Sequence, residues 1–188
     1  MKREILTALK LTLICLVLFC GIYSLLIFGI AQLAPNHGEG KMISANGRNY
    51  FENIGQSFTG DKYFNSRPSA AGYNSAGSAG SNKGPSNPDY LSHVDARIDS
   101  LIAHNPGVER ADIPSDMVTA SGSGLDPDIS VESAMLQVPG IAKARNLPAA
   151  TVDRLVEEST TRPWLGLFGP EKINVLKINI ALDKLALQ

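Results

Sequence analysis

Two segments rich in serine and glycine contain residue types that phosphate binding or nucleophilic catalysis would require. The stretch GSAGSNKG at 77–84 is similar to a phosphate-binding loop, but that loop needs Gly directly before its Lys and Ser or Thr directly after it. Here Asn82 precedes Lys83 and Gly84 follows it. The second segment, SGSG at 121–124, lacks the glycine that a nucleophile elbow places two residues before its serine. The sequence therefore predicts neither a nucleotide site of its own nor an activated serine.

The histidine and aspartate residues do not have the spacing of a metal site or a catalytic pair. His93 and His104 are eleven residues apart on a predicted helix, which is about 16 Å along its axis and too far to share an ion. Asp95 and Asp99 share a face of that helix, where a solvated acidic surface is more common than a catalytic pair. We therefore expect no metal ligand and no catalytic residue.

The turn-rich segment SGSGLDPDIS at 121–130 is the remaining candidate for a functional loop. Gly122 and Gly124, together with a proline and two aspartates, predict a tightly bent turn that leads into a helix. Asp128 or Ser130 can cap the first amides of that helix. A structural turn and an interaction role are both open, because conformationally exacting loops often carry function.

One apolar segment, residues 11–33, is long enough to cross a membrane. No formally charged residue occurs between Lys10 and His37, and a helix of this length covers about 35 Å, against a hydrocarbon core of about 30 Å. A cleaved signal peptide is the alternative, although its apolar region is usually about 7–15 residues. Both cysteines, Cys15 and Cys20, lie in this segment. The rest of the chain therefore cannot rely on a disulfide or on a cysteine-based zinc site.

The charges that flank the apolar segment predict its orientation. Residues 1–10 contain three basic residues and one acidic residue, and basic flanks favour the cytoplasmic side. We therefore expect residues 1–10 in the cytoplasm, residues 11–33 in the membrane and residues 34–188 as an extracytoplasmic domain. Lys41 and Arg48 follow the span and weaken this bias.

Small residues mark one side of the predicted membrane helix. Every fourth position from Leu13 to Leu33 belongs to one stripe, which includes Gly21 and Gly29. Because small residues let helices approach closely in lipid, these two glycines are candidate packing contacts with other membrane helices. Glycine is also common in membrane helices generally, and the spacing differs from that of a GxxxG motif, so both interpretations stay open.

The rest of the chain has the pattern of one mixed α/β domain, and the predicted fold class is α+β. We expect short strands and turns at 41–64. Residues 66–88 are mostly Ser, Gly, Ala, Asn and Pro, which is typical of a flexible linker or a long loop. Apolar spacing predicts a helix at 89–105, and residues 112–123 are interpreted as a short strand.

The second half of this domain is predicted to be mainly helical. A helix capped by Ser130 is expected to be interrupted at Pro139 and to resume as far as Asn146. Another helix is expected after Pro148, and the β-branched run at 173–180 predicts a buried strand. The net charge of −1 for the chain argues against a nucleic-acid partner.

Five segments form a series along the chain. They are SFTGDKYFNSRPSAAGYN at 57–74, SNPDY at 86–90, VTASGSGLDPDIS at 118–130, QVPGIAKARNLP at 137–148 and INVLKINIALDKL at 173–185. In this order and spacing, and together with the N-terminal span, they resemble the C subunit family of the Kdp potassium-transporting P-type ATPase. The resemblance covers the full length of the chain.

Three positions depart from the family pattern. Ser66 stands where a glycine commonly precedes the RPS motif at 67–69, and the order GPE at 169–171 replaces Gly-Glu-Pro. Both are interpreted as tolerated loop changes. Gly140 replaces a basic residue that often follows the QVP motif at 137–139, which removes a charge that a partner contact could use.

The resemblance implies a non-catalytic accessory subunit of a bacterial potassium pump, with a single span in the inner membrane. The implied partners are a channel-like potassium subunit and a hydrolytic P-type ATPase subunit, with a small membrane peptide subunit as a further candidate. The family is described as helping assembly and as a catalytic chaperone that raises the ATP affinity of the hydrolytic subunit. No cofactor of its own is implied, and ATP is involved only through the complex. A domain outside the cytoplasm can affect ATP only through its span or through the conformations of its partners.

The resemblance and the turn chemistry together select residues for partner contact or a structural motif. They are Arg67, Pro68, Ser69, Gly122, Gly124, Asp126 and Gln137. We expect Arg67 to form a fixed ion pair, with Asp126 as the candidate partner. The alternative function is a membrane-anchored extracytoplasmic hydrolase or ligand-binding domain, which would use Ser121 and Ser123.

Overall fold

The computed structural model describes residues 2–105 and 107–185, and the chain divides into two compact units, Met1–Ile43 and Ser44–Gln188. An apolar N-terminal helix belongs to the first unit, and a mixed domain of helices and small sheets belongs to the second.

The first unit is built around one long helix. It runs as α1 (Lys2–Cys15), a π-helical segment (Leu16–Tyr23) and α2 (Ser24–Ala31). The continuous helix Lys2–Ala31 has 30 residues and a mean hydropathy of 2.7 in its apolar window, which is long and apolar enough to cross a membrane. It begins earlier than the predicted span because the charged segment 2–10 is helical as well.

A short 3₁₀ helix (Pro35–Gly38) and a β-hairpin follow. β1 (Met42–Ala45) and β2 (Arg48–Phe51) pair in a two-stranded sheet. Asn46 and Gly47 join the strands with φ values of 52° and 73°, the conformation for which an Asn-Gly turn is favoured in tight hairpins. The short strands and turns predicted in this region are confirmed.

Residues 52–87, all within the described part of the chain, contain turns, bends and irregular backbone but no helix or strand. The segment 66–87 therefore forms a long loop, and Pro88 already belongs to the helix that follows. Hydrogen bonds attach this loop to the rest of the domain. The amide of Ala79, for example, donates to the carbonyl of Ser123 at 2.9 Å.

Helix α3 (Pro88–His104) confirms the helix predicted at 89–105. Asn87 caps it, since the Asn87 side chain accepts a hydrogen bond from the amide of Tyr90 at 3.0 Å. Pro88 occupies the first helical turn, where a missing amide proton costs nothing.

A short helix replaces the strand predicted at 112–123. The segment forms a 3₁₀ turn (Arg110–Asp112) and then α4 (Ser115–Val118). The neighbours Met117 and Val118 are both buried, whereas successive side chains of a strand point to opposite faces. The prediction is wrong because a short apolar run does not distinguish one helical turn from a strand.

Helix α5 (Val131–Arg145) is continuous through Pro139. Ser130 caps it as predicted, because its Oγ accepts a hydrogen bond from the amide of Ser133 at 3.1 Å. The predicted interruption is wrong. Pro139 is exposed, so the carbonyl that it leaves unbonded can face water, while the opposite face of the helix packs into the core. Asn146, with φ of 56°, ends the helix.

Five short or medium elements complete the second unit: β3 (Asp128–Ile129), α6 (Ala149–Ser159), β4 (Thr160–Thr161), β5 (Lys172–Asn174) and α7 (Val175–Leu185). The three strands form an antiparallel sheet in the order β3-β5-β4, in which Ile173 pairs with both Ile129 and Thr160. Helix α6 confirms the helix expected after Pro148.

The strand predicted at 173–180 is wrong beyond its first two residues. The chain leaves β5 at Asn174 and continues as α7. The buried residues of α7 recur at helical spacing: Val175, Leu176, Ile178, Asn179 and Leu182. That period is the stronger signal, and the β-branched composition pointed to the wrong element.

The core of the second unit lies between the small sheet and helices α5 to α7. Phe64, from the long loop, is fully buried in it. The other buried members are Ile129, Ala134, Val138, Ile141, Ala142, Val152, Leu155, Val156, Ile173, Val175, Ile178 and Leu182.

Candidate functional site

The long loop and the turn at 121–126 meet, and the predicted ion pair lies where they meet. Arg67 Nη1 donates to Asp126 Oδ2 at 2.9 Å. The two side chains are 23% and 30% exposed, so water screens the pair only in part. The other carboxylate oxygen of Asp126 accepts a hydrogen bond from the amide of Asp128 at 3.1 Å. The turn therefore orients the carboxylate toward the guanidinium.

Ser69 joins the same two loops through its hydroxyl. Its Oγ donates to the carbonyl of Gly124 at 2.5 Å and accepts from the amide of Tyr73 at 3.0 Å. Tyr73 in turn donates its phenolic hydroxyl to the carbonyl of Arg67. Pro68, half-buried between Arg67 and Ser69, limits the backbone freedom of this turn.

Gly124 is required by a close approach of the two loops. Its φ is +67°, and a Cβ at this position would lie 2.6 Å from the carbonyl oxygen of Ala79 and 2.9 Å from Cβ of Ala71. A larger residue would force the backbone to move. Gly122 is different, because a Cβ there would meet nothing within 4 Å.

Sequence reasoning missed Gly55, which brings a third segment to this junction. Its amide donates to the carbonyl of Leu125 at 2.8 Å. A Cβ at this glycine would lie 2.5 Å from the carbonyl oxygen of Asp126 and 3.0 Å from the ring of Tyr73. Its only signal in the sequence is a glycine among aromatic residues, which is not specific. We call the three segments around Gly55, Arg67 and Gly124 the loop junction.

Tyr73 was also missed as a member of the loop junction. Burial raises the pKa of its phenol above the ordinary value of 10.0, and the charge of Asp126 adds to that effect. The nearby polar side chain of Ser66 and the charge of Arg67 oppose it. The phenol is therefore protonated at neutral pH and can donate to the loop backbone.

Gln137 lies apart from the ion pair, inside the core, and is only 2% exposed. Its Oε1 accepts a hydrogen bond from the amide of Asn65 at 2.7 Å. On α7, Asn179 accepts from the amide of Phe64 at 2.8 Å and donates to the carbonyl of Phe64 at 2.9 Å. Two buried side-chain amides thus hold the backbone just before Arg67.

A cleft of about 740 Å³ opens beside the ion pair. Arg67, Asp126 and Asp128 line one part of it, and Trp164 lines another. Lys172 Nζ donates to Asp128 Oδ2 at 2.6 Å, and this bond raises the pKa of Lys172. Arg67 and Lys172 are therefore each paired with a carboxylate of the chain.

The side chains of Ser121 and Ser123 shape the turn. Ser121 Oγ accepts from the amide of Gly124 at 2.9 Å, and Ser123 Oγ accepts from the amide of Leu125 at 3.1 Å. Among the residues that the structure describes, no group of three or more His, Cys, Asp or Glu could hold a metal ion. Both hydroxyls therefore accept hydrogen bonds from backbone amides and help to fix the shape of the turn.

Gly21 and Gly29 lie in the π-helical segment and in α2, respectively. A Cβ at either position would meet no atom within 4 Å in the described part of the chain. Packing inside the chain therefore does not require these glycines, and their contact with partner helices stays a prediction.

Comparison with known proteins gives a consistent result over nearly the whole chain. The family model described as "K+-transporting ATPase, c chain" matches residues 5–184. A protein of Flavobacterium johnsoniae named "Potassium-transporting ATPase KdpC subunit" is 53% identical over 184 residues, which cover 97% of this chain and 99% of the relative. Proteins with the same name from Bacteroides fragilis and Caldanaerobacter subterraneus are 48% and 42% identical, over 97% of this chain and 98% and 95% of their own lengths. This chain therefore belongs to the family of potassium-transporting ATPase c chains, the KdpC subunits.

Proposed function

We propose that the chain braces the channel-like and hydrolytic subunits of the potassium pump, without catalysing a reaction itself. The observation that carries this proposal is the loop junction, in which the pair of Arg67 and Asp126 and the close approaches at Gly55 and Gly124 hold three loop segments together. Loops held in one conformation before binding lose little entropy when a partner docks. A surface of this kind suits assembly.

The brace is proposed to promote ATP binding by the hydrolytic subunit without contacting ATP. The glycine-rich segment that is similar to a phosphate loop is engaged elsewhere: the amide of Ala79 and the hydroxyl of Ser78 both donate to the carbonyl of Ser123, at 2.9 and 3.0 Å. An effect on ATP affinity then arises by favouring one conformation of the partner. If a photoreactive ATP analogue labelled this chain within the assembled complex, the indirect mechanism would be wrong.

The proposed topology places the N-terminus in the cytoplasm and the domain outside it, on the basis of the basic N-terminal flank. A single cysteine can report the side of the domain once the two native cysteines are replaced, since Cys15 and Cys20 are the free cysteines of the chain. Ser75→Cys, at an exposed loop position, should react with an impermeant maleimide added outside intact spheroplasts. Labelling that occurs only after lysis would show that the domain lies in the cytoplasm and would contradict the proposed topology.

The bracing role is tested in the assembled complex by comparing two arginines. Arg67→Ala should lower the recovery of the chain with a tagged hydrolytic subunit and raise the KM for ATP of the potassium-stimulated ATPase. Arg110→Ala is the matched control, because Arg110 pairs with Asp95 at an exposed site on α3. A complex that lacks this chain, yet assembles and transports potassium normally, would overturn the proposal.

The alternative function, a membrane-anchored hydrolase or ligand-binding domain, uses the serine-rich turn. Replacing Ser121 and Ser123 by alanine separates the two functions. A hydrolase would lose its activity, whereas a bracing subunit would keep potassium-stimulated ATPase activity in the complex almost unchanged. The hydrogen bonds of both hydroxyls to backbone amides favour the bracing role.

A further inference from the structure

The loop between β4 and β5 carries a cluster of exposed apolar side chains that the loop junction does not explain. Trp164, Leu165, Leu167 and Phe168 are 71%, 71%, 81% and 61% exposed. Every other large apolar residue of Ser44–Gln188 that the structure describes is less exposed than these four. We call residues 162–170 the apolar tip.

The apolar tip is an ordered hairpin. The backbone groups of Trp164 and Phe168 bond to each other in both directions, at 3.0 Å each, and their rings lie 5.7 Å apart. Pro163 and Pro170 flank this pair. The four apolar side chains therefore project from a defined turn.

The backbone conformation of Leu165 is unfavourable, and packing within the domain does not offset its cost. Its φ is +54°, in the left-handed region where leucine is disfavoured and where glycine or asparagine would cost less. Its side chain gains almost no burial within the domain to offset that cost. A contact with a surface outside the chain would offset that cost.

The charge at the base of the tip indicates the chemistry of that contact. Arg162 is the only charged residue in 161–170, and Glu171 follows the hairpin directly. Arg162 is exposed, and within the described ranges it has no hydrogen bond or ion pair. A free guanidinium beside exposed tryptophan and leucine matches the boundary of a bilayer, where a phosphate lies next to the acyl chains.

A bilayer fits this tip better than a second folded protein does. A stable protein interface takes roughly 20–30 residues from each side, whereas the tip offers four large side chains on a narrow turn. A lipid surface needs no complementary pocket. Only residues 32–43 separate α2 from the second unit. Such a short tether gives the second unit a high effective concentration of any membrane that holds α2.

We propose that the apolar tip inserts into the headgroup and upper acyl region of the bilayer, with Arg162 bound to a lipid phosphate. This contact is additional to the span and to the bracing of partner subunits. It would hold the second unit against the membrane surface by its hairpin.

Trp164 makes the proposal directly measurable because it is the one tryptophan of the chain. The full chain is placed in vesicles of phosphatidylcholine and phosphatidylglycerol, with or without phosphatidylcholine brominated high on its acyl chains. We expect the bromine to remove about half of the Trp164 emission and the bilayer to protect Trp164 from acrylamide. Emission that is quenched freely by acrylamide and not by bromine would overturn the proposal.

Two variants separate insertion from a change in fold. Replacing Leu165 and Leu167 by serine should abolish the bromine quenching, because it removes the exposed apolar atoms and keeps the ring pair of the hairpin. The control replaces Leu91 and Met135, which are 46% and 42% exposed on α3 and α5, by serine and should leave the quenching unchanged. Equal loss of quenching in both double variants would refute the assignment to the tip.

Two further experiments distinguish a contact of the tip with lipid from a contact with a partner protein. Arg162→Gln should lower quenching in vesicles that contain phosphatidylglycerol more than Leu91→Ser does. In the reconstituted complex, bromine quenching of the tip should persist, read from an otherwise tryptophan-free set of partner subunits. Protection from acrylamide that appears only when the partners are added, without bromine quenching, would assign the tip to a protein and overturn the proposal.

Discussion

Replacing Gly124 by alanine is the sharpest test of the loop junction, because the structure predicts two separate costs at this residue. The left-handed φ of +67° costs an alanine about 1–2 kcal/mol. The Cβ would also lie 2.6 Å from the carbonyl oxygen of Ala79. Separating the loops breaks backbone bonds between them and adds about 1–2 kcal/mol. The expected total is about 3 kcal/mol.

Two other glycines of the second unit supply matched controls. Gly47 has a φ of +73°, and a Cβ added there would meet no atom within 4 Å. Alanine at this position therefore has the cost of the left-handed backbone but no steric clash. Gly122 has neither a left-handed φ nor a neighbour within 4 Å, so alanine there should be nearly neutral. The three variants should therefore rank as Gly122→Ala, Gly47→Ala and Gly124→Ala in order of increasing damage.

Differential scanning calorimetry of the full chain in detergent micelles measures this ranking. For a domain of this size, 1 kcal/mol shifts the Tm by about 2–4 °C. We expect almost no shift for Gly122→Ala, a drop of about 2–8 °C for Gly47→Ala and a drop of about 6–12 °C for Gly124→Ala. Equal drops for Gly47→Ala and Gly124→Ala would show that the two loops do not approach as closely as described.

Three further outcomes are expected. Asn179→Leu leaves the amide and the carbonyl of Phe64 buried without partners and should lower the unfolding free energy by about 2–4 kcal/mol in urea titrations; a smaller effect than 1 kcal/mol would contradict the two hydrogen bonds. A double-mutant cycle with Arg67→Ala and Asp126→Ala should give a coupling energy of about 0.5–1 kcal/mol that decreases with salt, since the pair is partly exposed; zero coupling would remove the ion pair as a stabilising contact. Because the pKa of Tyr73 is raised in the folded state, the folded chain keeps its proton when the unfolded chain has lost it, so stability should fall as the pH rises above 10.0. Tyr73→Phe should make that fall shallower in urea titrations at several pH values, and an unchanged slope would contradict the burial of the phenol.

The helices that the sequence predicts correctly are those whose ends carry their own chemistry. Asn87 before α3 and Ser130 before α5 cap their helices through hydrogen bonds within three residues, so the signal is local. The errors occur where distant packing decides. At 173–180 the composition favours a strand, but burial against α6 and the sheet selects the helical period of α7.

The loop junction shows the same division between local and distant information. The pair of Arg67 and Asp126 could be proposed because the family motifs mark both residues and because their charges are opposite. Gly55 and Tyr73 could not, because only the folded chain brings them to Asp126. The apolar tip was not recognised either, since the exposure of its four side chains depends on where β4 and β5 place the turn.

The two buried amides that hold Phe64 and Asn65 also have a consequence for the order of folding. Phe64 is 115 residues from Asn179, and Asn65 is 72 residues from Gln137, so both contacts close very long loops of chain. Such contacts form late and slow folding. During synthesis, the segment that leads into Arg67 cannot form its native contact with Asn179 until α7 has emerged. A chain that stops before α7 should therefore keep its first loops accessible to protease, although every residue of those loops is present.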